Sequence, residues 1–594
     1  MRAHSTRVRL AVVLAATGLC TSAASAQNNA NLPKIKPQVA CMAMAGRAIA
    51  AAAFGLPTKG ARLTTAELMP ASGQGTRDEL PEYCSVNGQI DPIDTTAPVI
   101  NFRVNIPTEW NQMSWQLEGT GMFGIIPTSL ARMLREGQQG LAGPVRAAYP
   151  PNALSPLARG FAIYGGDSGH QNQPQGQQAA PQAPGAGNAW MANKESLLNY
   201  GHAGLKKQKD AAMAVLKQMY GTEARVTLYA GNSMGGRWGL QAAGRYSADF
   251  DGIIAANTMP MFTGLIVEYR YRFEGQLEPG AWLPPAKRAA MVAEVIRQCD
   301  GLDGLEDGLA SNYIDCYRRF DPTVTPNPFA HIRCASGNDE GDKCLSDKQL
   351  ATINAWMSPK KYPFPLEGYD SWAGWPPPVG GPNFGYLFAN AQPSMDNDQA
   401  TNGALWGTVP RFVGGNVPGF DIRKTTLLDN RIAYQEFSRV ADPPADWSGL
   451  VKNNTKFFMH LPTADYVSNT NTQIAFMQQA IAKAGGKPAF DRVGRVYTPA
   501  NIDHQSGGIS ANGEPIPHHV DYLLYMENWV IKGVTPPDPI VEELQDLNAP
   551  YTVKASRPLC RFPQYPRYKG SGDPKTVASY TCASPSAATT TSSR

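Results

Sequence analysis

Apolar and polar residues alternate with period two over Val99–Ile106, the pattern of a half-buried strand. Shorter apolar runs at Trp115–Leu117, Gly160–Tyr164, Val226–Ala230, Phe250–Ala256, Lys456–His460 and Gly494–Tyr497 predict further strands. Stretches with helical apolar spacing fall among them: Lys194–Tyr200 continuing through Lys207–Tyr220, Arg237–Ala243, and Tyr522–Ile531 before Gly533 and two prolines. Strands alternating with helices predict an α/β fold with a doubly wound, mostly parallel sheet. From about Asn257 to about Ser448 the alternation lapses and the chain turns rich in Pro, Gly, Trp and Phe. That stretch is expected to be a large inserted lid domain, 257–448, which divides the core into 27–256 and 449–594.

The segment Val226-Thr-Leu-Tyr-Ala-Gly-Asn-Ser-Met-Gly-Gly236 reads as a strand, a sharp turn and the start of a helix. Its turn carries Gly231-x-Ser233-x-Gly235, which resembles the nucleophile elbow of α/β-hydrolases. A serine on a strained strand-to-helix turn needs neighbours without bulk, because strand and helix backbones nearly touch there. The turn lifts the hydroxyl above the sheet and sets it at a helix N-terminus, where an oxyanion is stabilised. Glycine-flanked serines also arise by chance in a chain with 57 Gly, but the strand before and helix after decide for the elbow.

In such a fold the acid and the histidine follow the serine along the chain. Of the eight His, only His504, His518 and His519 come late enough. His504 sits one short loop after Val496-Tyr497, whereas His518 and His519 precede the last helix and read as surface or helix-start residues. Asp465 follows the strand Phe457–His460 closely; Asp503 adjoins His504 and points elsewhere, and Asp491 precedes its strand. The expected set is therefore Ser233 as nucleophile, His504 as the base that takes its proton, and Asp465 holding the imidazole tautomer. Gly119-Thr-Gly-Met-Phe-Gly124, a glycine-rich turn after an early strand, stands where a second backbone oxyanion donor is expected, although an ordinary loop has the same composition.

The N-terminus changes the picture of where the chain works. Arg2, Arg7 and Arg9 precede the apolar run Leu10–Ala16, and Ala24-Ser-Ala26 follows. Residues 1–26 thus read as a secretory signal peptide, too short to span a bilayer permanently. Leu19 ahead of Cys20 weakens a lipoprotein reading, and no later segment is long and apolar enough for a membrane span. A secreted or periplasmic protein is expected. Nine Cys less Cys20 leave eight, an even number suited to disulfides in an oxidising compartment. Pairing of near neighbours gives Cys41–Cys84, Cys299–Cys316, Cys334–Cys344 and Cys560–Cys582; the spacing leaves other connectivities open and matches no zinc site. With 594 residues and 42% hydrophobic content the chain can bury a large core, and a net charge of +4 gives nucleic-acid binding no electrostatic support. Gln171–Gly187 and the Ser/Thr/Ala tail after Cys582 read as low-complexity surface segments.

Four stretches in order carry a family resemblance: Asn188-Ala-Trp-Met-Ala-Asn-Lys-Glu-Ser-Leu-Leu-Asn-Tyr-Gly-His202, Gly231-Asn-Ser-Met-Gly-Gly-Arg237, Asp249-Phe-Asp-Gly-Ile-Ile254 and Asp503-His-Gln-Ser-Gly-Gly508. Together they resemble the tannase and feruloyl esterase family, which includes hydrolases of mono(2-hydroxyethyl) terephthalate. The resemblance implies an exported carboxylic ester hydrolase with a lid over the triad, acting on a small-molecule ester of an aromatic acid. It implies oxyanion donors at the backbone of Met234 and of Gly121. One departure stands out: Asn232 and Gln505 occupy the two positions where the family commonly has a disulfide-bonded cysteine pair. An amide pair can hydrogen-bond there instead.

The loop Cys299-Asp-Gly-Leu-Asp-Gly-Leu-Glu-Asp-Gly-Leu309 gathers Asp300, Asp303 and Asp307, hard oxygen ligands that suit Ca²⁺. The resemblance implies a structural lid calcium there, completed by the carbonyls of Leu305 and Leu309; the alternative is a solvated acidic turn. Trp372, Trp375, Phe384, Phe388, Trp406 and Phe412 are aromatic residues of the insertion that can stack on an acyl group, though most of them are expected to be its core. Two other functions compete: an esterase for aliphatic or polyester-derived oligomers, given Asn232 and Gln505, and a catalytically silent periplasmic binding protein, against which the Ser/His/Asp set speaks.

Overall fold

In the computed structural model the described residues are 32–118, 124, 126–127, 149–171, 190–380, 384–385, 388, 391–393, 426–504 and 507–587. Their strands are β1 Ala48–Ile49, β2 Gly60–Met69, β3 Tyr83–Asp91, β4 Ile100–Pro107, β5 Met113–Glu118, β6 Ala162–Gly166, β7 Val226–Asn232 and β8 Gly252–Ala256. They continue with β9 Lys360–Leu366, β10 Tyr369–Trp372, β11 Lys456–His460, β12 Gly494–Tyr497, β13 Ile540–Gln545, β14 Val553–Leu559, β15 Tyr565–Tyr568 and β16 Tyr580–Ala583. Ten of them form one sheet in the order β1-β2-β3-β4-β6-β5-β7-β8-β11-β12.

The α/β class holds, but the sheet is mixed. Pairing is parallel from β6 through β5, β7, β8 and β11 to β12. It is antiparallel from β1 through β4 to β6. The antiparallel half was less legible because β2 carries a register shift between Leu63 and Thr65, which breaks its period. In β3 the polar run Asn87-Gly88-Gln89 hides a strand whose alternate residues are buried. The C-terminal hairpins β13–β14 and β15–β16 carry little apolar alternation of their own.

Period-two alternation distributes the core over both faces of the parallel half. Leu228, Ala230, Ile254 and Phe458 pack with the helix Tyr522–Lys532 on one side. Tyr229, Ile253, Ala255, Phe457 and Met459 face the elbow helix Met234–Arg245 on the other. The helix Gly204–Tyr220 covers the antiparallel half, against Phe102, Val104, Ala162 and Tyr164. Local signals set the ends of these helices: Gly221 adopts φ 78° after Tyr220, and Gly533 adopts φ 68° after Lys532. Disulfides join Cys41–Cys84, Cys299–Cys316, Cys334–Cys344 and Cys560–Cys582, the near-neighbour pairs.

Between β8 and β11 the chain leaves the sheet, and its described part forms helices and the β9–β10 hairpin. β8 and β11 nevertheless lie side by side, so the insertion starts and ends at the same edge of the elbow. The backbone approach is very close at Gly236, where a Cβ would stand 2.1 Å from the Ala256 carbonyl oxygen. Gly236→Ala is therefore expected to lower stability by about 1–3 kcal/mol, read as a lower denaturant midpoint. An unchanged midpoint would contradict the contact.

Candidate active site

Ser233 sits between β7 and the elbow helix with φ 59° and ψ −114°, a conformation costly for any residue but glycine. Two contacts hold it there: its N–H donates to the Ala256 carbonyl at 3.0 Å, and its own carbonyl accepts from Arg237 N–H at 2.9 Å. Gly231 has no alternative, since a Cβ there would stand 2.4 Å from the Gly235 carbonyl oxygen.

His504 and Asp465 come to Ser233 from the loops after β12 and β11. His504 Nε2 lies 2.8 Å from Ser233 Oγ, and His504 Nδ1 lies 3.1 and 3.0 Å from the two Asp465 oxygens. All three residues are buried. Burial alone would raise the Asp465 carboxyl, but the His504 charge and hydrogen bonds from His504 and Ser468 outweigh it and hold the group below its ordinary value. Asp465 therefore stays ionised beside the imidazole. Its oxygens are nearly saturated: Oδ1 accepts from the N–H groups of Val467 (3.0 Å) and Ser468 (2.9 Å). Oδ2 accepts from Ser468 Oγ and from Gln473 Nε2. This arrangement can take a proton from Ser233 Oγ and stabilise the imidazolium that results.

Sequence reasoning missed the residues that hold this set. Asn257, at φ 48° just past β8, donates from Nδ2 to the His504 carbonyl at 2.6 Å. The only mark of it along the chain is an Asn at a strand end, a residue that tolerates left-handed backbone. Nothing local marks Ser468 or Gln473. The rejected acids lie where expected: Asp503 accepts from Gly507 N–H, and Asp491 pairs with Lys487 and Arg561. His518 and His519 differ from expectation. They are buried rather than surface residues, His518 Nδ1 bonding the Ile516 carbonyl and His519 Nδ1 accepting from Gln545 N–H. The β13–β14 hairpin, unforeseen in the sequence, is what covers them.

Met234 is the first residue of the elbow helix, so its N–H is among the donors that a helix start leaves without an intrahelical partner. Gly121 and most of its loop lie outside the described residues, as do Gln505, Trp406, Phe412 and residues 1–26. Asn232 is buried with neither side-chain amide atom hydrogen-bonded among the described residues. Trp372, Trp375, Phe384 and Phe388 are buried in the core that the insertion shares with the elbow helix.

The acidic loop packs against the C-terminal hairpins, and just after it Ala310 N–H donates to Asn501 Oδ1 at 3.2 Å, three residues before His504. Asp300 Oδ1 accepts from the N–H groups of Asp307, Gly308 and Leu309 at 3.0, 3.0 and 3.1 Å. Asp303 Oδ1 accepts from Leu305 N–H at 3.0 Å. Burial, with Asp307 nearby, pushes the Asp303 carboxyl up to about 7 despite these bonds. Asp307 reaches Arg557 at 3.4 Å through one oxygen, and its other oxygen is buried without a partner among the described residues. Among the described residues the close-set group of metal-ligand types is Cys334, Glu340 and Cys344, whose sulfurs are joined in a disulfide. The acidic loop's carboxylates are more widely spread.

A mixed α/β sheet with a serine on a strained strand–helix turn, backed by histidine and aspartate, defines a protein of the hydrolase class. The family model for tannase and feruloyl esterase matches residues 84–583, and the chain belongs to that family. It is 30% identical to an uncharacterized esterase of Agrobacterium fabrum, over 98% of each chain. It is 25% identical to the mono(2-hydroxyethyl) terephthalate hydrolase of Piscinibacter sakaiensis, over 85% of each. The fold is similar to that of feruloyl esterase B from Aspergillus oryzae, with a TM-score of 0.64 at 19% identity over 89% of this chain and 98% of that one. The chain is thus an ester hydrolase of the carboxylesterase type, with a small-molecule ester as substrate. Among the described residues no helix is long and apolar enough to cross a membrane.

Proposed function

We propose that the chain is an exported serine carboxylesterase that cleaves esters of aromatic acids through an acyl-enzyme on Ser233. The observation that carries this reading is the 2.8 Å contact between His504 Nε2 and Ser233 Oγ, backed by Asp465 on Nδ1. Ser233 Oγ attacks the ester carbonyl carbon while His504 Nε2 takes the hydroxyl proton. The oxyanion accepts hydrogen bonds from Met234 N–H and, by the family resemblance, from Gly121 N–H. Collapse breaks the bond to the alkoxy oxygen, which leaves as the alcohol with the proton from His504. Water then attacks the acyl carbon and gives a proton to His504; collapse breaks the bond to Ser233 Oγ, which takes that proton back from His504 as the carboxylic acid leaves. Asp465 keeps Nδ1 protonated and the ring aligned throughout.

The aromatic acyl preference draws on relatives whose names specify feruloyl and terephthalate esters, and on the aromatic residues of the insertion, here read as a lid. Export draws on the leader-like residues 1–26 and on four disulfides. The replacement of the family's cysteine pair by Asn232 and Gln505 keeps an aliphatic or polyester-derived acyl group as the second reading. On the family resemblance we read Asp300, Asp303 and Asp307, with the carbonyls of Leu305 and Leu309, as a structural Ca²⁺ site, whose occupation would draw the carboxylates closer together than they stand here. The buried, unpartnered Asp307 oxygen and the raised Asp303 carboxyl are groups that a divalent cation would satisfy and hold ionised.

Ser233→Ala is expected to lose about 10⁴-fold or more in kcat while keeping the wild-type melting temperature. Wild-type turnover in that variant would overturn the nucleophile. An ester panel read by acid release is expected to favour feruloyl, galloyl or terephthaloyl over aliphatic esters of the same alcohol; the reverse order would establish the second reading. Removal of calcium with EGTA is expected to lower Tm by about 5 °C or more without directly stopping turnover. No shift on protein shown to be metal-free would exclude the ion.

A further inference from the structure

The insertion leaves the core just after β8 and returns just before β11, and both of its ends meet one buried arginine. Arg237 lies one turn along the elbow helix from Ser233 and has no exposed surface. No carboxylate among the described residues lies within ion-pair distance of it; its terminal nitrogens donate to carbonyls instead, and Nε has no partner among the described residues. Nη1 donates to Gly201 at 2.9 Å and to Ala441 at 2.6 Å, and Nη2 donates to Tyr200 at 2.9 Å. The guanidinium also lies 5.0 Å from the Tyr200 ring centre and 5.6 Å from that of Phe262. Phe262 opens the insertion's first helix, Phe262–Gln276, and Ala441 closes Arg431–Ala441, after which only the short helix Ser448–Asn453 precedes β11. Carbonyls at a helix C-terminus lack intrahelical donors and carry partial negative charge, which is why a cation serves here where an apolar side chain would not.

The residue after Ala441 ties the same two ends to each other. Asp442, also without exposed surface, accepts at Oδ1 from Thr263 N–H (2.9 Å) and Thr263 Oγ1 (3.1 Å), on the first turn of the insertion. Its Oδ2 accepts from Tyr369 Oη in β10 (2.7 Å) and Ser438 Oγ (2.6 Å). Tyr369 Oη in turn accepts from Gly264 N–H at 2.9 Å. The fit against the core has no slack. A Cβ on Gly201 would stand 2.4 Å from Val440 Cγ1, and one on Gly244 2.7 Å from Pro444 Cγ.

We propose that Arg237 and Asp442 are positioning residues that clamp both ends of the insertion to the elbow helix and thereby set how esters bulky enough to touch it are held over Ser233. The proposal rests on the reading of the insertion as a lid over an esterase site. Neither side chain touches Ser233, His504 or Asp465, so the clamp acts on the placement of substrate and leaves proton transfer to the triad. Loss of a clamp weakens binding of large esters, which make contact with the insertion, and spares small ones, which do not.

The test compares Asp442→Asn, Arg237→Lys and Arg237→Ala with the wild type in three measurements: kcat and KM for the largest aryl ester the wild type hydrolyses, kcat/KM for p-nitrophenyl acetate, and the rate of Ser233 labelling by a small fluorophosphonate. In Asp442→Asn and Arg237→Ala, KM for the aryl ester is expected to rise about tenfold, with acetate hydrolysis and labelling within about threefold of wild type. Arg237→Lys keeps the charge but loses the planar fork, and its KM is expected to fall between wild type and Arg237→Ala. A parallel loss on both esters and on labelling, or no change in KM, would overturn the clamp. If Asp442→Asn does not fold, the two Arg237 variants decide. Labelling of the wild type reports separately on the esterase reading, because it requires a reactive Ser233 and nothing of the clamp.

Discussion

A serine held at φ 59° between a strand and a helix is the constraint on which the site depends. That backbone is costly in isolation, and the surroundings overdetermine it. The β8 carbonyl of Ala256 accepts Ser233 N–H, and the same oxygen stands where a Cβ on Gly236 would have to go. The turn therefore exists only while β7 and β8 are paired, and β8 in turn is fixed by β11 on its other side. Since β11 and β12 deliver the Asp465 and His504 loops, the sheet order that strains the serine also aligns its partners.

The same geometry makes a large insertion tolerable. β8 and β11 are neighbours, so a chain leaving one and returning along the other closes a loop with its ends already together, whatever its length. The polar groups where the insertion joins the core are buried, and most are satisfied by partners on other elements. Asn257 reaches the His504 carbonyl and Asp442 reaches Thr263 and Tyr369. Such bonds are modest singly, but removing one partner leaves another buried group without one, so the junction tolerates little change.

The parallel half of the sheet and the Ser233, His504 and Asp465 set were legible in the sequence because their signals are local. Apolar runs mark β7, β8 and β11, and chain order with loop position picks out the histidine and the acid. What escaped was encoded by contact at long range. β2 hides behind a bulge, β3 behind Asn87-Gly88-Gln89, and His518 and His519 looked exposed because the hairpin that covers them begins only after the next helix. Asn257, Ser468 and Gln473 matter through partners that no spacing along the chain discloses. The acidic loop was readable as composition, whereas its coupling to Arg557 of the C-terminal hairpin was not.

The chemistry turns on whether Ser233 itself carries the acyl group. Rapid-quench mass spectrometry of the wild-type protein mixed with an aryl ester measures this directly. If the triad works as its geometry suggests, the intact protein gains the mass of one acyl group within the first turnover, and fragmentation places it on the peptide containing Ser233. Hydrolysis that proceeds with no such adduct in the wild type, and with none when deacylation is slowed at low pH, or an adduct on any other residue, would contradict it.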